Sequence, residues 1–291
     1  MSRLDASPTA YGRTPRRSAS PKVSVVVPAM NEAPNLPYAF ANLPADVHEV
    51  ILVDGNSVDD TVLVARRLRP DIKIVHQTRK GKGNAIACGC TVATGDIIVL
   101  LDADGSADAG EIPRFVAALL GGADFAKGSR FIAGGGSSDI TRLRKVGNYW
   151  LNRLVNTLYG TQYTDLCYGY NAFWRDCLDV LALDPSERPH LSPANLPWGD
   201  GFEVETLINV RIAKAGLLVA EVPSYESDRV HGNSNLNAFS DGVRVLRIIQ
   251  TERKCSTRVQ EIDIDRSARD AFLRSYRPTE LPLAASPETA R

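Results

Sequence analysis

The apolar pattern of this 291-residue chain predicts an α/β fold, a mostly parallel, doubly wound sheet flanked by helices, with a smaller second half. Three observations carry that prediction. Runs of buried-strand type, rich in β-branched residues, recur at residues 23–27, 49–53, 72–75 and 97–101. A segment of helical length follows each of them. Acids stand directly after two of the runs, at Asp54 and Asp102, where open sheets bind ligands beyond the carboxyl ends of their strands.

Residues 1–22 are rich in Ser, Pro, Thr and Arg without periodicity, which predicts a disordered basic arm. The first strand stops at Pro28, and Ala29-Met30-Asn31-Glu32-Ala33-Pro34-Asn35 suits a loop opening a helix through residue 43. No Gly-x-Gly-x-x-Gly follows, which argues against a dinucleotide-binding oxidoreductase. The second strand ends at Asp54, turns through Gly55-Asn56-Ser57, and Asp59-Asp60-Thr61 opens a helix to residue 69. The third leads through Arg79-Lys80-Gly81-Lys82-Gly83-Asn84 into a helix to residue 92. Glycines on both sides of Lys82 let an ammonium approach an anion, or form a simple basic turn. A Walker A loop is excluded, because His76 holds the upstream glycine position and no Ser or Thr follows the lysine.

The fourth strand runs into Asp102-Ala103-Asp104-Gly105-Ser106. Two carboxylates one residue apart are oxygen ligands suited to Mg²⁺ or Mn²⁺, although a solvated turn uses the same residues. A helix over 109–120 and a fifth strand over 123–127 follow, and Gly128-Ser129-Arg130 aims Arg130 back toward the same edge.

The second half changes character. Gly134-Gly135-Gly136-Ser137-Ser138 predicts a flexible loop and a candidate lid. Residues 143–159 carry apolar side chains at helical spacing among Arg142, Arg144, Lys145 and Arg153; such a helix either faces lipid or a partner, or packs on the core, and the core is the expected place. Residues 164–171 read as a strand and turn returning polar groups to the cleft, and residues 185–197 as a proline-rich loop. A helix beginning by Asp200 and running to residue 215 would set Asp200 and Glu203 on one face and point Glu205 elsewhere; capping of the helix dipole is the competing reading of these acids. After a strand over 216–223, the loop Arg229-Val230-His231-Gly232-Asn233-Ser234-Asn235 can close over a diphosphate, with forked bonds from Arg229 and with His231 reaching a metal. Residues 243–249 support a last helix, and residues 254–291 read as a tail.

Composition narrows the class. Lys+Arg and Asp+Glu both total 34, so no global field points to nucleic acid. Five cysteines without a Cys-x-x-Cys form neither a disulfide framework nor a zinc site, and fit a reduced, cytoplasmic setting. No apolar run approaches the roughly 18 residues of a membrane span, so work on a membrane-bound acceptor would be peripheral.

As an ordered set, the strand ending in Pro28 with Asn31-Glu32, Asp54-Gly55-Asn56-Ser57, Gly81-Lys82-Gly83, Asp102-Ala103-Asp104 and Gly128-Ser129-Arg130 resemble the family 2 glycosyltransferases of GT-A fold. Thr164-Asp165, Phe202-Glu203-Val204-Glu205, Glu221-Val222-Pro223 and the Arg229 loop are most similar to the polyprenyl-phosphate (dolichol-phosphate) mannosyltransferase branch. The resemblance implies one GT-A domain over 23–253, with 23–130 binding the nucleotide-sugar donor and 131–253 the acceptor. It implies that Pro28, Ala29, Asn31, Glu32 and Asp54 surround the nucleoside, with Lys82 nearby. Asp102, Ala103 and Asp104 would hold the ribose and the Mg²⁺ or Mn²⁺ that bridges the diphosphate, with His231 as a further metal ligand, while Arg130, Arg229 and Ser234 would bind phosphate. Transfer would be inverting, to a polyprenyl phosphate or a hydroxyl acceptor, with Asp200 or Glu203 as the base for a hydroxyl. Two positions depart from that branch: Asn235 stands where Lys is usual, and Ser106 where Gln is common. The alternatives are a non-catalytic sugar-nucleotide-binding protein and a sugar-1-phosphate nucleotidyltransferase; the latter calls for a Gly-rich, Arg-containing loop where Pro28-Ala29-Met30-Asn31 stands.

Overall fold

Four parallel strands, hydrogen-bonded side by side, set the site. They are β1 (Val23–Ala29), β2 (Glu49–Asp54), β3 (Lys73–His76) and β4 (Ile97–Leu100), in the order β3-β2-β1-β4. The computed structural model describes residues 17–186, 199–232 and 238–254. Val25, Val26, Ile51, Leu52, Ile98 and Val99 have no accessible surface, and each such side chain contributes roughly 1.5–3 kcal/mol on burial. Helices α1 (Leu36–Ala39), α2 (Thr61–Leu68), α3 (Lys82–Val92) and α4 (Ile112–Leu120) make the crossovers. α1 is shorter than the helix expected through residue 43: beyond Phe40 the chain continues in tighter turns, with Ala41 N donating to Tyr38 O at 3.2 Å and Leu43 N to Phe40 O at 3.4 Å.

Beyond β4 the sheet departs from a simple parallel run. β5 (Phe125–Ser129) does not pair with β4; β7 (Asn171–Trp174) lies antiparallel between them, and β8 (Val219–Pro223) closes the sheet beside β5. Ala172 faces Val99 on one side and Ala126 on the other, while the Phe125 and Phe173 rings stack at 5.8 Å. The strand expected within residues 164–171 therefore begins only at Asn171.

The glycine loop is not free. Gly136–Ser137 forms β6, paired with β9 (Tyr225–Glu226), and Ser137 Oγ donates to Glu226 at 2.6 Å, so the expected flexible lid is pinned. The arm also ends earlier than expected: Arg17 pairs with Asp124 at 2.6 Å and Asp176 at 3.1 Å and lies over the Trp174 ring.

Helix α5 (Arg142–Tyr159) reverses the core expectation. It buries Asn148, Asn152 and Val155 and leaves Leu143, Val146, Tyr149 and Trp150 more than half exposed. The asparagines decide which face turns inward. Asn152 donates to Thr164 O at 2.7 Å and accepts from Leu166 N at 2.8 Å, and Asn148 donates to Asp165 at 3.2 Å. Short α6 (Leu178–Leu181), α7 (Val204–Lys214) and α8 (Ala238–Lys254) complete the second half.

Candidate active site

All four parallel strands end on the same rim. From β1 the chain continues to Asn31 and Glu32, from β2 to Asp54, from β3 to His76, and from β4 to Asp102 and Asp104. Pro28 and Ala29 lie on β1 at that end, and Gly55 N donates to Ala29 O at 2.8 Å, which ties the first two loops together. Asn31 sits at φ 58°, accepts from Val58 N at 2.8 Å on its side chain and donates its backbone N–H to Ser57 Oγ at 2.9 Å. Asp54 is buried, accepts from Ser57 N at 3.2 Å and lies 3.4 Å from His76 Nδ1.

Two charge clusters stand on this rim. In the first, the Lys82 ammonium lies 2.7 Å from Asp102 and 2.7 Å from Glu205. Burial alone would lower that ammonium, but the two carboxylates hold it above its ordinary value. Burial pushes the Glu205 carboxyl up, against the opposing pull of Lys82. Gly169 covers this cluster: a Cβ there would lie 2.8 Å from Glu205 Oε1, 3.0 Å from Lys82 Nζ and 3.5 Å from Asp102 Oδ2. The glycines beside Lys82 have a different use from the expected approach of a ligand anion. Side chains at 81 and 83 would collide with the backbone of Asp200 and Gly199, and Gly83 N donates to Asp200 O at 2.8 Å.

In the second cluster Arg229 contacts Glu32 closely and reaches Asp104 Oδ2 at 3.5 Å. Asp104 Oδ1 is held by Ser106, through its amide at 3.0 Å and its hydroxyl at 2.8 Å, so Oδ2 is the oxygen turned to a cation. The loop bearing Arg229 and His231 is fastened to the β1 rim by Asn35, which accepts from His231 N at 2.9 Å and donates to His231 O at 3.1 Å. Asn35 also donates to Glu32 at 2.6 Å, and Tyr38 lies beside the His231 ring at 5.8 Å. Ser234 lies outside the described residues.

The donor set fits a hard divalent cation. Asp102 and Asp104 present oxygens at partly open positions, 37% and 24% exposed. Among the described residues no three His, Cys, Asp or Glu side chains cluster into a protein-only cage. Mg²⁺-type ions take one or two carboxylates and leave the remaining positions to phosphate and water, and Asp102 and Asp104 can supply that number.

Three expected residues have other duties. Arg130 is buried, and its Nε and Nη2 bond to Asp165 at 2.7 and 2.9 Å while Nη1 bonds to Glu226 at 2.8 Å. Burial opposes its charge, yet these bonds keep it above its ordinary value, and no face of the guanidinium is left for the expected phosphate. Asp200 is fixed by a forked pair from Arg79, both bonds 2.8 Å, and Glu203 by another from Arg244 at 2.6 and 2.9 Å. The expected shared face of Asp200 and Glu203 fails because α7 starts at Val204, after Gly199 and Gly201 have interrupted the backbone. The same late start brings Glu205, expected to point away, to Lys82 and Asp102.

A cavity of about 670 Å³ is lined by Phe131, Lys145, Asn148, Tyr149, Arg153 and Thr164 among others and contains none of the rim acids.

Comparison with known proteins adds the family. The sequence model of glycosyl transferase family 2 matches residues 24–181. The chain belongs to glycosyl transferase family 2. An uncharacterized glycosyltransferase of Mycobacterium tuberculosis is 43% identical to this family 2 enzyme over 224 residues, covering 77% of this chain and 94% of the relative. The undecaprenyl-phosphate mannosyltransferase of Micrococcus luteus is 30% identical over 236 residues, 78% of this chain and 92% of the relative. Among solved structures, glucosyl-3-phosphoglycerate synthase of M. tuberculosis, in complex with Mn²⁺, UDP and glucosyl-3-phosphoglycerate, superposes with a TM-score of 0.60 at 21% identity, covering 82% of each chain. The fold of this glycosyltransferase is GT-A.

Proposed function

We propose that this glycosyltransferase moves a sugar, with inversion, from a nucleoside-diphosphate donor to a polyprenyl phosphate, using Mg²⁺ or Mn²⁺. The observation that carries the reading is the paired acid and cation at one rim, Asp104 with Arg229 and Asp102 with Lys82, beside the Asn31-Glu32 and Asp54 loops. The synthase named above, which was crystallised with Mn²⁺ and UDP, supports a donor of this class, and the undecaprenyl-phosphate mannosyltransferase supports the acceptor.

Asp102 and Asp104 would hold the cation, whose charge, when bound, offsets the negative charge growing on the leaving diphosphate. Arg229 supplies forked donors toward the same phosphates, and Asn35 fixes the loop that carries it. Asp54 and Asn31 border the nucleoside. His231 is assigned to the metal and phosphate side, and Ser234, which lies outside the described residues, to a phosphate. A phosphate acceptor is already an anion and needs no strong base. That suits the forked pairing of Asp200 and Glu203 with arginines, and leaves Glu205 to orient Lys82 and the sugar-side edge of the site. A polyprenyl phosphate is anchored in lipid, so the enzyme works at a membrane surface; among the described residues no helix is long and apolar enough to cross one.

The test is incubation of the full chain with radiolabelled UDP- and GDP-sugars, a short-chain polyprenyl phosphate and Mn²⁺ or Mg²⁺. Label should enter the organic phase, and chelator or Asp104→Asn should abolish it. Transfer to water-soluble hydroxyl acceptors with none to polyprenyl phosphate would overturn the acceptor assignment.

A further inference from the structure

We infer that the outward face of α5 seats on an anionic lipid bilayer. The inference rests, for its purpose, on the membrane-bound acceptor proposed above, and its test uses neither donor nor acceptor.

Leu143, Val146, Trp150 and Leu154 are 73%, 56%, 62% and 37% exposed. At 100° per residue they fall within about 80° of one another around the helix, an unbroken apolar ridge. Arg142, Lys145, Arg153 and Tyr149, all exposed, follow along one flank of that ridge. Residues 142–159 hold four cations and no acid. Leucines and a tryptophan on the ridge, with a tyrosine among cations alongside, make the composition of a helix lying in a lipid interface.

The rotation of the helix is fixed from within. Asn148, Asn152 and Asn156 bond to the segment from Tyr163 to Leu166, so turning the ridge inward would break those bonds and leave Asp165, Thr164 O, Tyr163 O and Leu166 N without these partners. The ridge therefore stays outward in the isolated chain. A second copy of the chain is a poor cover for it. A two-fold interface sets the same patch against itself, and α5 would bring its cations against like cations with no acid of its own to answer them. Anionic headgroups answer them directly. The cavity beside Lys145, Tyr149 and Arg153 opens on that same cationic flank and gives a headgroup room to sit.

Vesicle co-sedimentation of the full chain, without sugar donor, tests this. Binding to phosphatidylcholine vesicles containing phosphatidylglycerol should be about tenfold or more tighter than to phosphatidylcholine alone, and should weaken with salt. Leu143→Ser/Trp150→Ser and Arg142→Gln/Arg153→Gln should each lose about tenfold in binding, because each removes one half of the interaction. Both should keep transfer to a detergent-dispersed short-chain acceptor, which separates failure of docking from failure of the acceptor assignment. Should either variant melt early, brominated lipids decide: they should quench wild-type fluorescence, and Trp150→Phe should abolish the quenching. Equal vesicle binding by wild type and Leu143→Ser/Trp150→Ser overturns the inference. So does a dimer that the variant dissolves while vesicles leave it intact.

Discussion

Replacing Lys82 by methionine removes the cation between Asp102 and Glu205 while keeping most of the volume of the side chain. Lys82 is 15% exposed and Glu205 9%, so that contact is largely out of water, whereas Asp102 at 37% is screened and adds little. Breaking a buried pair by removing one partner costs about 3–5 kcal/mol, and the open Asp102 side puts this case near 3. For a domain of this size each kcal/mol moves the midpoint by about 2–4 °C, so Lys82→Met should melt about 6–12 °C below wild type. Most of that loss is the charge left on Glu205. Adding Glu205→Gln should therefore recover more than half of it, giving a coupling of about 2 kcal/mol in a double-mutant cycle. Calorimetry or urea titration at neutral pH reads both numbers. A Lys82→Met protein within about 0.5 kcal/mol of wild type, or a double variant no better than the single one, would refute the assignment of Lys82 as the bridge between the two acids.

Gly169→Ala pushes a methyl against the ends of Glu205 and Lys82, which can yield, so melting should move by less than about 3 °C while kcat/KM falls about tenfold or more; unchanged kinetics would count against the cluster. Arg130→Met leaves Asp165 and Glu226 without their cation and should cost about 3–5 kcal/mol; a donor-phosphate contact would instead raise KM and leave stability alone. Glu49, paired with Lys73 and bonded to Ser24 and Thr94, overcomes its burial and has its carboxyl lowered from 4.5 to about 2. Its stabilisation is fully present above about pH 4.5 and lost as pH falls toward about 2, so Glu49→Gln should flatten up to about 3 kcal/mol of acid dependence in urea unfolding between those limits.

The buried strands and their tips were legible because a short β-branched run closed by an acid has few other folded uses. Val23 to Val27 and Ile97 to Leu100 lie where their apolar faces demand, and Asp54, Asp102 and Asp104 stand on one edge as the strand-end rule requires. The place of β7 was not legible. Asn-Ala-Phe-Trp is too short to carry a period, and its slot between β4 and β5 depends on pairings with residues far away in the chain. The choice between Asp200 and Glu205 turned on where α7 begins, and one turn of error selects a different acid. α5 was legible only in part: its inward face sets Val155 among asparagines whose partners lie in the following loop, and hydropathy assigns no value to a hydrogen bond that has not yet been seen. Asn35 and Ser106 are of the same kind, polar residues whose value lies in holding Arg229 and Asp104 in position.

The central claim is that Asp102 and Asp104 grip a cation that in turn grips a diphosphate. Calorimetric titration of UDP and GDP into the full chain, with Mn²⁺ or with chelator, addresses it directly. At least one nucleotide should bind about tenfold or more tighter with Mn²⁺, and Asp104→Asn should erase that difference at an unchanged melting temperature. Affinity that ignores the chelator, or an Asp104→Asn protein that keeps the full Mn²⁺ effect, would contradict it.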